Sequence, residues 1–278
     1  MAKGIGLIGN FKGKVGNMVG YKLSDSNTGN SQGIRVYQPI VRNPKTSAQA
    51  EQRAKLAPIN ATYRALKMII DRGNEGLPYG NKSRLAWLKK AFKPVTMPWY
   101  EKGAIIEMPV LCEITRGSLP SIANIDAGDS YPTIFVDAVT TAGTTKVGDL
   151  SAAIIASYPT LKDGDQLTFV GIYGNGSALN GRVASLVLDT TSQENIPAPF
   201  SVSDDALNAF VGQGTAAAAA IIVSREGANG EHLRSTETLA KLAGWNDAVE
   251  SDTSKDAAIA SYMNAAGGNT DWAEESIQ

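Results

Sequence analysis

Downstream of Thr46, apolar residues recur at spacings of three and four: Leu56, Ile59, Tyr63, Leu66 and Ile70. That period puts them on one face of a helix. Asn43-Pro44-Lys45-Thr46 forms a turn and a cap, with Thr46 placed to accept from free N–H groups of the first turn. Pro58 lies inside the run and predicts a kink or a split, with Ala57 biased away from the helical region. A second, short helix is predicted over "KSRLAWLKKAFK". Leu85, Leu88 and Phe92 would face one side, and Lys89, Lys90 and Lys93 the other. Trp87 is out of phase with Leu85 and Leu88. Pro94 and Pro98 stop this helix.

Upstream, residues 1–33 are rich in Gly, Asn, Ser and Lys, and "SDSNTGNSQG" has the composition of a loop. "IRVYQP" is a short strand closed by Pro39. Downstream of residue 104 the pattern changes. "PTIFVDAVTT", "DQLTFVGIYGN", "RVASLVLDTTS" and "AAAAAIIVSRE" are short, largely β-branched apolar runs bounded by Gly, Asp and Asn. Asp163-Gly164-Asp165 and Asn229-Gly230 are hairpin-type turn signals. Leu233, Ser235, Glu237 and Leu239 share a face of the strand expected after Gly230. Helices are expected at "VGDLSAAIIASYP" and from Ser254 to Met263, the latter capped by Thr253. Asp204-Asp205 resembles a helix N-terminal pair. The expected fold is α+β. A small basic N-terminal region (1–98) with two or three helices precedes a mainly antiparallel, immunoglobulin-like β-sandwich (99–278) with helical insertions and an acidic tail.

Charge sharpens this division. Residues 1–102 hold 18 Lys/Arg against 5 Asp/Glu, a net of +13, and residues 103–278 hold 8 against 22, a net of −14. A basic half attracts polyanions, of which nucleic acid is the commonest in a cell. The alternative is that the two halves neutralise each other, within one chain or between copies. The single cysteine, Cys112, rules out an intrachain disulfide framework. No apolar stretch approaches the roughly 20 residues of a membrane helix, so no membrane partner is expected. The N-terminus has no apolar run of signal-peptide length, and cytoplasmic synthesis is expected.

Candidate chemistry is sparse. Gly4-Ile5-Gly6-Leu7-Ile8-Gly9 matches the dinucleotide fingerprint in letters but leaves no room for the strand that must precede it. "GNFKGKVGN" has one residue too few for a phosphate loop, and Val15 stands where a hydroxyl is needed. These glycines serve turns or close backbone packing instead. His232, the only histidine, sits beside a turn, and an exposed turn histidine outweighs a catalytic base. Cys112, among apolar residues, is a small buried hydrophobe rather than a nucleophile. No metal-ligand spacing is present, and no cofactor or enzymatic activity is expected. Aromatics such as Tyr21, Tyr37, Tyr63 and Phe92 are interleaved with the basic residues, the pattern of single-strand binding. Tyr63 and Phe92 are in phase with their helices and are also core candidates. Trp99 and Tyr100 are placed to pack the two regions together.

"GKVGN" at Gly13 to Asn17, "NPKT" at Asn43 to Thr46, and a Gln-x-x-Arg helix start within Gln49 to Arg53 occur in this order. The combination resembles an uncharacterised family of Bacteroidetes and of phages that infect them. The likeness covers roughly the first 70 residues and continues weakly at "IIVSREGANGEHLRSTETL". The alanine run Ala216 to Ala220 and the acidic tail fall outside it. The resemblance implies a phage or mobile-element setting and supplies no mechanism. The expected function is a phage-encoded structural protein, of the virion or its assembly, made in the bacterial host cytoplasm. It is expected to self-associate and to meet other virion or assembly proteins. Its basic half would contact nucleic acid or an acidic neighbour through Lys12, Lys14, Lys22, Arg35, Arg42, Arg53, Arg64, Lys67, Lys89, Lys90 and Lys93. The alternatives are a sequence-tolerant single-stranded DNA-binding protein of phage replication, and a surface-binding module presenting Tyr131, Tyr158 and Tyr173 at loop ends.

Overall fold

The computed structural model describes residues 13–23, 31–37, 46–94, 96–122, 125–136, 146–174, 176, 178–203, 206–228 and 230–264. They belong to two compact units, Met1–Pro44 and Lys45–Gln278.

The first unit contains an antiparallel sheet, β1 (Gly13–Val15), β2 (Met18–Leu23) and β3 (Ser31–Val36), in the order β1-β2-β3. Val15 pairs with Met18, leaving Gly16-Asn17 as a two-residue turn. Gly16 takes φ +57, the left-handed region that such turns demand of glycine in first position. The glycines of "GKVGN" therefore serve a hairpin. No strand is expected from the sequence before Ile34, and Gly20 in the central strand interrupts the alternation that would mark one. The expected strand over 34–39 begins three residues earlier, and β3 ends at Val36.

The second unit is built on an open antiparallel sheet of order β11-β10-β6-β7, with β13 also paired to β10. Its strands are β6 (Gln166–Gly174), β7 (Leu179–Val187), β10 (Ala218–Glu226), β11 (His232–Arg234) and β13 (Ala240–Lys241). Both faces are covered, which explains why β6 and β10 are near-continuous apolar runs. One face carries Val170, Ile172, Ala218, Ala220 and Ile222. On it pack α1 (Ser47–Ala65), α2 (Lys67–Ile70), α3 (Asn81–Ala91) and β4 (Glu113–Thr115), through Ile59, Leu66, Ile70, Trp87, Ala91 and Ile114. The other face carries Leu167, Phe169, Ile221 and Val223. It meets α4 (Val147–Ser157) and a small antiparallel sheet of β5 (Thr133–Phe135), β9 (Ala206–Ala209) and β8 (Phe200–Ser203). Phe200 and Phe169 meet edge to face, 5.2 Å between centroids. The fold is α+β, as expected. The sheets are open, with helices packed on both faces of the central sheet, so an immunoglobulin-like sandwich is not confirmed.

The boundary expected at residues 98/99 falls inside this unit, and the compact division lies at 44/45. The prolines end α3 but not the core. Met97 and Tyr100 are buried, and α1–α3 share one apolar cluster with the central sheet. Trp99 and Tyr100 pack within this one body. The Trp99 N–H donates to the Val249 carbonyl, and the Tyr100 hydroxyl accepts from the Met108 N–H at 2.7 Å.

Local expectations meet mixed outcomes. Thr46 caps α1, its Oγ1 accepting from the Gln49 N–H. Pro58 does not split the helix, which runs unbroken from Ser47 to Ala65. The proline lies on the buried side, where its ring adds apolar contact. One turn on, the Thr62 hydroxyl donates to the Pro58 carbonyl and accepts from the Val110 N–H, tying the helix to the strand region beside it. The break comes at Leu66 instead. Leu56 is 39% exposed and Leu85 56%, so neither leucine marks a core face. The buried positions of α3 are Ser83, Trp87 and Ala91. Ser83 is satisfied there, its hydroxyl donating to the Ile70 carbonyl and accepting from Asn74. Asp163-Gly164-Asp165 joins α4 to β6 rather than two strands. The Gly230 turn does join two paired strands, β10 and β11. The strand beyond it breaks into β11, β12 (Glu237–Thr238) and β13, with Ser235, Glu237 and Leu239 buried. The last helix, α5, spans Asp252–Asn264, and Ser251 rather than Thr253 accepts from its first turn, at the Ser254 N–H. Asp204-Asp205 lies outside the described residues, between paired strands β8 and β9.

Candidate nucleic-acid interface

In the small sheet, Lys14, Val19 and Arg35 line up across the three strands. Strand alternation puts Tyr21 on their face, and Val15, Met18, Ile34 and Val36 on the other. Lys14 and Arg35 are exposed. The Lys14 ammonium stands 3.5 Å from the centroid of the Tyr37 ring, an arrangement of cation against aromatic face. Lys22 lies in β2, in register with Gln32 of β3. Lys12 and Arg42 lie outside the described residues, as do both glycine motifs rejected above except for the hairpin itself.

On α1, Arg53 and Arg64 are about three turns apart, so they share a strip roughly 16 Å long. Both are exposed, on the side away from Ala54, Ile59 and Thr62. On α3, Lys82, Leu85 and Lys89 recur at three and four and continue to Lys93 just past the helix end, all exposed. Among the described residues, Arg53, Arg64, Lys89 and Lys93 are in no ion pair. Two other expected contacts are used inside the fold. Lys90 pairs with Glu113 and donates to Asn74. Lys67 pairs with Asp71, one turn on, which raises the lysine's pKa. Burial works against the Asp71 charge, but hydrogen bonds from Lys67 and Tyr63 outweigh it and hold the carboxyl below its ordinary range. Of the expected contacts Arg53, Arg64 and Lys67, the first two stand without an ion pair among the described residues, and Lys67 is turned to a local partner. Tyr63 packs against the core with its ring 5.9 Å from that of Trp87, and Phe92 packs there too.

Sequence reasoning missed a second cationic and aromatic grouping. The loop between α2 and α3 and the β10–β11 hairpin enclose a concavity of ≈ 470 Å³. Arg72 and Tyr79 enter from the loop, His232 and Arg234 from the hairpin. The Arg72 guanidinium lies 5.5 Å from the Tyr79 ring centroid, and the His232 ring lies 6.3 Å from it. Burial lowers the pKa of Arg234, the nearby Tyr79 hydroxyl partly offsets this, and the Arg72 charge adds to the lowering. Glu75 forms part of the wall. Its carboxylate accepts from the Ser118 N–H and hydroxyl and from the Arg234 N–H, at 2.9, 3.0 and 3.2 Å. Burial disfavours its charge, but these donors win and keep its pKa below the ordinary value. The one legible signal was an arginine and a tyrosine within a Gly- and Pro-rich loop, "DRGNEGLPYGNKS".

His232 is exposed beside its turn, as the local pattern indicates. Cys112 is buried, and desolvation pushes its thiol up to about 12, which leaves it unreactive at neutral pH. No group of three or more His, Cys, Asp or Glu among the described residues could hold a metal ion. No described helix is long and apolar enough to cross a membrane. None of the three tyrosines of the surface-module alternative is exposed. Tyr173 is buried against Arg182, the Tyr158 hydroxyl donates to the Phe135 carbonyl, and Tyr131 is half-buried. Comparison with protein-family models, with curated proteins and with solved structures gave no match.

Proposed function

We propose that this chain is a non-enzymatic structural protein of a phage, in the virion or its assembly, that holds nucleic acid by its phosphates. The observation that carries the nucleic-acid part is the set Arg53, Arg64, Lys89 and Lys93: exposed cations on α1, on α3 and just past the end of α3, in no ion pair among the described residues. Lys14 and Arg35 add a second basic face on the small sheet. Such contacts position a backbone without reading sequence. The phage setting rests on the resemblance carried by "GKVGN", "NPKT" and the Gln49–Arg53 segment. Synthesis in the host cytoplasm, self-association and contact with other virion proteins belong to the same reading. The small β5–β9–β8 sheet facing the central sheet supports a sandwich-like description of that part of the fold.

Fluorescence anisotropy with single- and double-stranded oligonucleotides across a salt series tests this. Each phosphate contact contributes a slope of about −0.7 to −0.9 in log K against log salt, so four contacts give about −3 to −4. The double variant Lys89→Gln/Lys93→Gln should reduce that slope by about 1.4 to 1.8. Binding insensitive to salt, or absent at low salt, rejects the reading. Mass spectrometry of purified virions tests the phage setting separately, and its failure would leave the binding result standing. The single-strand alternative draws support from the Lys14–Tyr37 stack with Tyr21 on the same face. Monomers coating single strands, without symmetric assembly in the absence of DNA, would favour it.

A further inference from the structure

The concavity between the α2–α3 loop and the β10–β11 hairpin is separate in residues from the helical strips. We propose that it binds a phosphate monoester attached to a planar base: the phosphate on Arg72 and Arg234, the base against Tyr79 and His232. The guanidinium-bearing residues Arg72 and Arg234 both line the concavity, and the Arg72 charge adds to the effect of burial in disfavouring that of Arg234. Neither is in an ion pair among the described residues. Holding two uncompensated arginines together costs free energy, and a doubly charged anion with several acceptor oxygens would relieve it.

The nearby carboxylates do not serve instead. Glu75 is held by the Ser118 N–H, the Ser118 hydroxyl and the Arg234 N–H. Glu231, at the rim, folds back over its own turn, its Oε2 lying 3.5 Å from where a Cβ on Gly227 would stand. Tyr79 is 53% exposed, so a large ring face is free of core packing. With Arg72 5.5 Å from the ring centroid and His232 beside it, a flat heteroaromatic ring finds stacking surface on the exposed part of Tyr79, next to the cations. The ≈ 470 Å³ volume lies within the range of small-molecule pockets. The wall is also built rather than incidental. Gly117 packs so closely on the Arg234 carbonyl and the Glu75 carboxylate that a side chain there would displace both.

A phosphate monoester beside a base occurs in a free mononucleotide and at the 5′ end of a nucleic-acid strand. Calorimetric titration of the full chain with adenosine 5′-monophosphate, adenosine and inorganic phosphate tests the site. A second arm compares 5′-phosphorylated with 5′-hydroxyl oligonucleotides. The monophosphate should bind more tightly than either half-ligand. Arg72→Gln and Tyr79→Ala, both at exposed positions, should each weaken it tenfold or more without changing the melting temperature. Lys89→Gln/Lys93→Gln should leave it unchanged, so loss of the helical strips and loss of this site read out separately. Preference for the 5′-phosphorylated strand makes the ligand a strand end, and no preference makes it a free nucleotide; either supports the site. No binding of the monophosphate at millimolar concentration, or wild-type affinity in Tyr79→Ala, overturns it. Equal binding of inorganic phosphate and monophosphate overturns the base contact.

Discussion

Replacing Arg225 with methionine removes one side of a pair whose other side has nowhere to go. The Asp165 side chain is 1% exposed and accepts from Arg225 Nε and Nη2, both at 2.6 Å. The same guanidinium donates to the Thr160 carbonyl at 3.0 Å, so it holds the α4–β6 connection to the C-terminal end of β10. In Arg225→Met the carboxylate keeps the Lys162 N–H at 2.8 Å but loses both charge-assisted bonds. Removing one partner of a buried pair costs about 3–5 kcal/mol. Arg225 is 23% exposed, so water reaches part of the vacated space and the lower end applies, about 3 kcal/mol. At about 2–4 °C per kcal/mol for a unit of this size, the melting temperature should fall by about 6–12 °C. Urea and thermal denaturation measure this directly. Adding Asp165→Asn to Arg225→Met should recover much of the loss, because an uncharged amide is far less costly to bury. A single variant within about 0.5 kcal/mol of the parent, or a double variant no better than the single, would refute this account of Asp165.

Two further expectations concern the core. Glu237 is buried, its Oε2 accepting from the Ser121 hydroxyl at 2.9 Å, and burial raises its pKa against the opposing hydrogen bonds of Ser235 and Ser121. The folded state therefore holds this proton more tightly than the unfolded chain. The contribution is complete below the unfolded value, about pH 4.5, and is lost as pH rises through the folded value. Glu237→Gln should remove that loss, so its urea midpoint should gain on the parent between pH 4.5 and pH 8; a pH-independent difference would contradict this. Gly181 in β7 meets the end of α1: a Cβ there would overlap the Ala65 carbonyl oxygen and stand 2.8 Å from its carbon. Gly181→Ala should therefore cost about 1–3 kcal/mol, read as a lowered denaturation midpoint, and an unchanged midpoint would show that α1 moves aside freely.

The small basic sheet and the helical strips were legible only in part. Lys14, Arg35, Arg53, Arg64, Lys89 and Lys93 stand exposed as their charge suggested, yet Lys67 pairs with Asp71, one turn on, and Lys90 with the distant Glu113. No composition argument separates the two groups, because Glu113 lies 23 residues from Lys90 in the chain. The leucines of α3 misled for a related reason. Leu85 and Leu88 suggested one face, but the sheet beneath accepts Trp87, with Ser83 satisfied by Ile70 and Asn74. Which face of a weakly amphipathic helix is buried depends on what it packs against.

What the sequence alone determined was local or additive. The Thr46 cap, the helices at 47 and 147, the apolar strands β6, β7 and β10, the turn at Gly230 and the excess of charge at each end depend on neighbouring residues or on sums. The tertiary structure alone decided that residues 45–98 join the sheet instead of standing apart, that Pro58 is tolerated on a buried face, and that Arg72 and Tyr79 meet His232 and Arg234 across more than half the chain. Those outcomes arise from burial between distant segments, whose free energy comes from surfaces that exist only once the chain has folded.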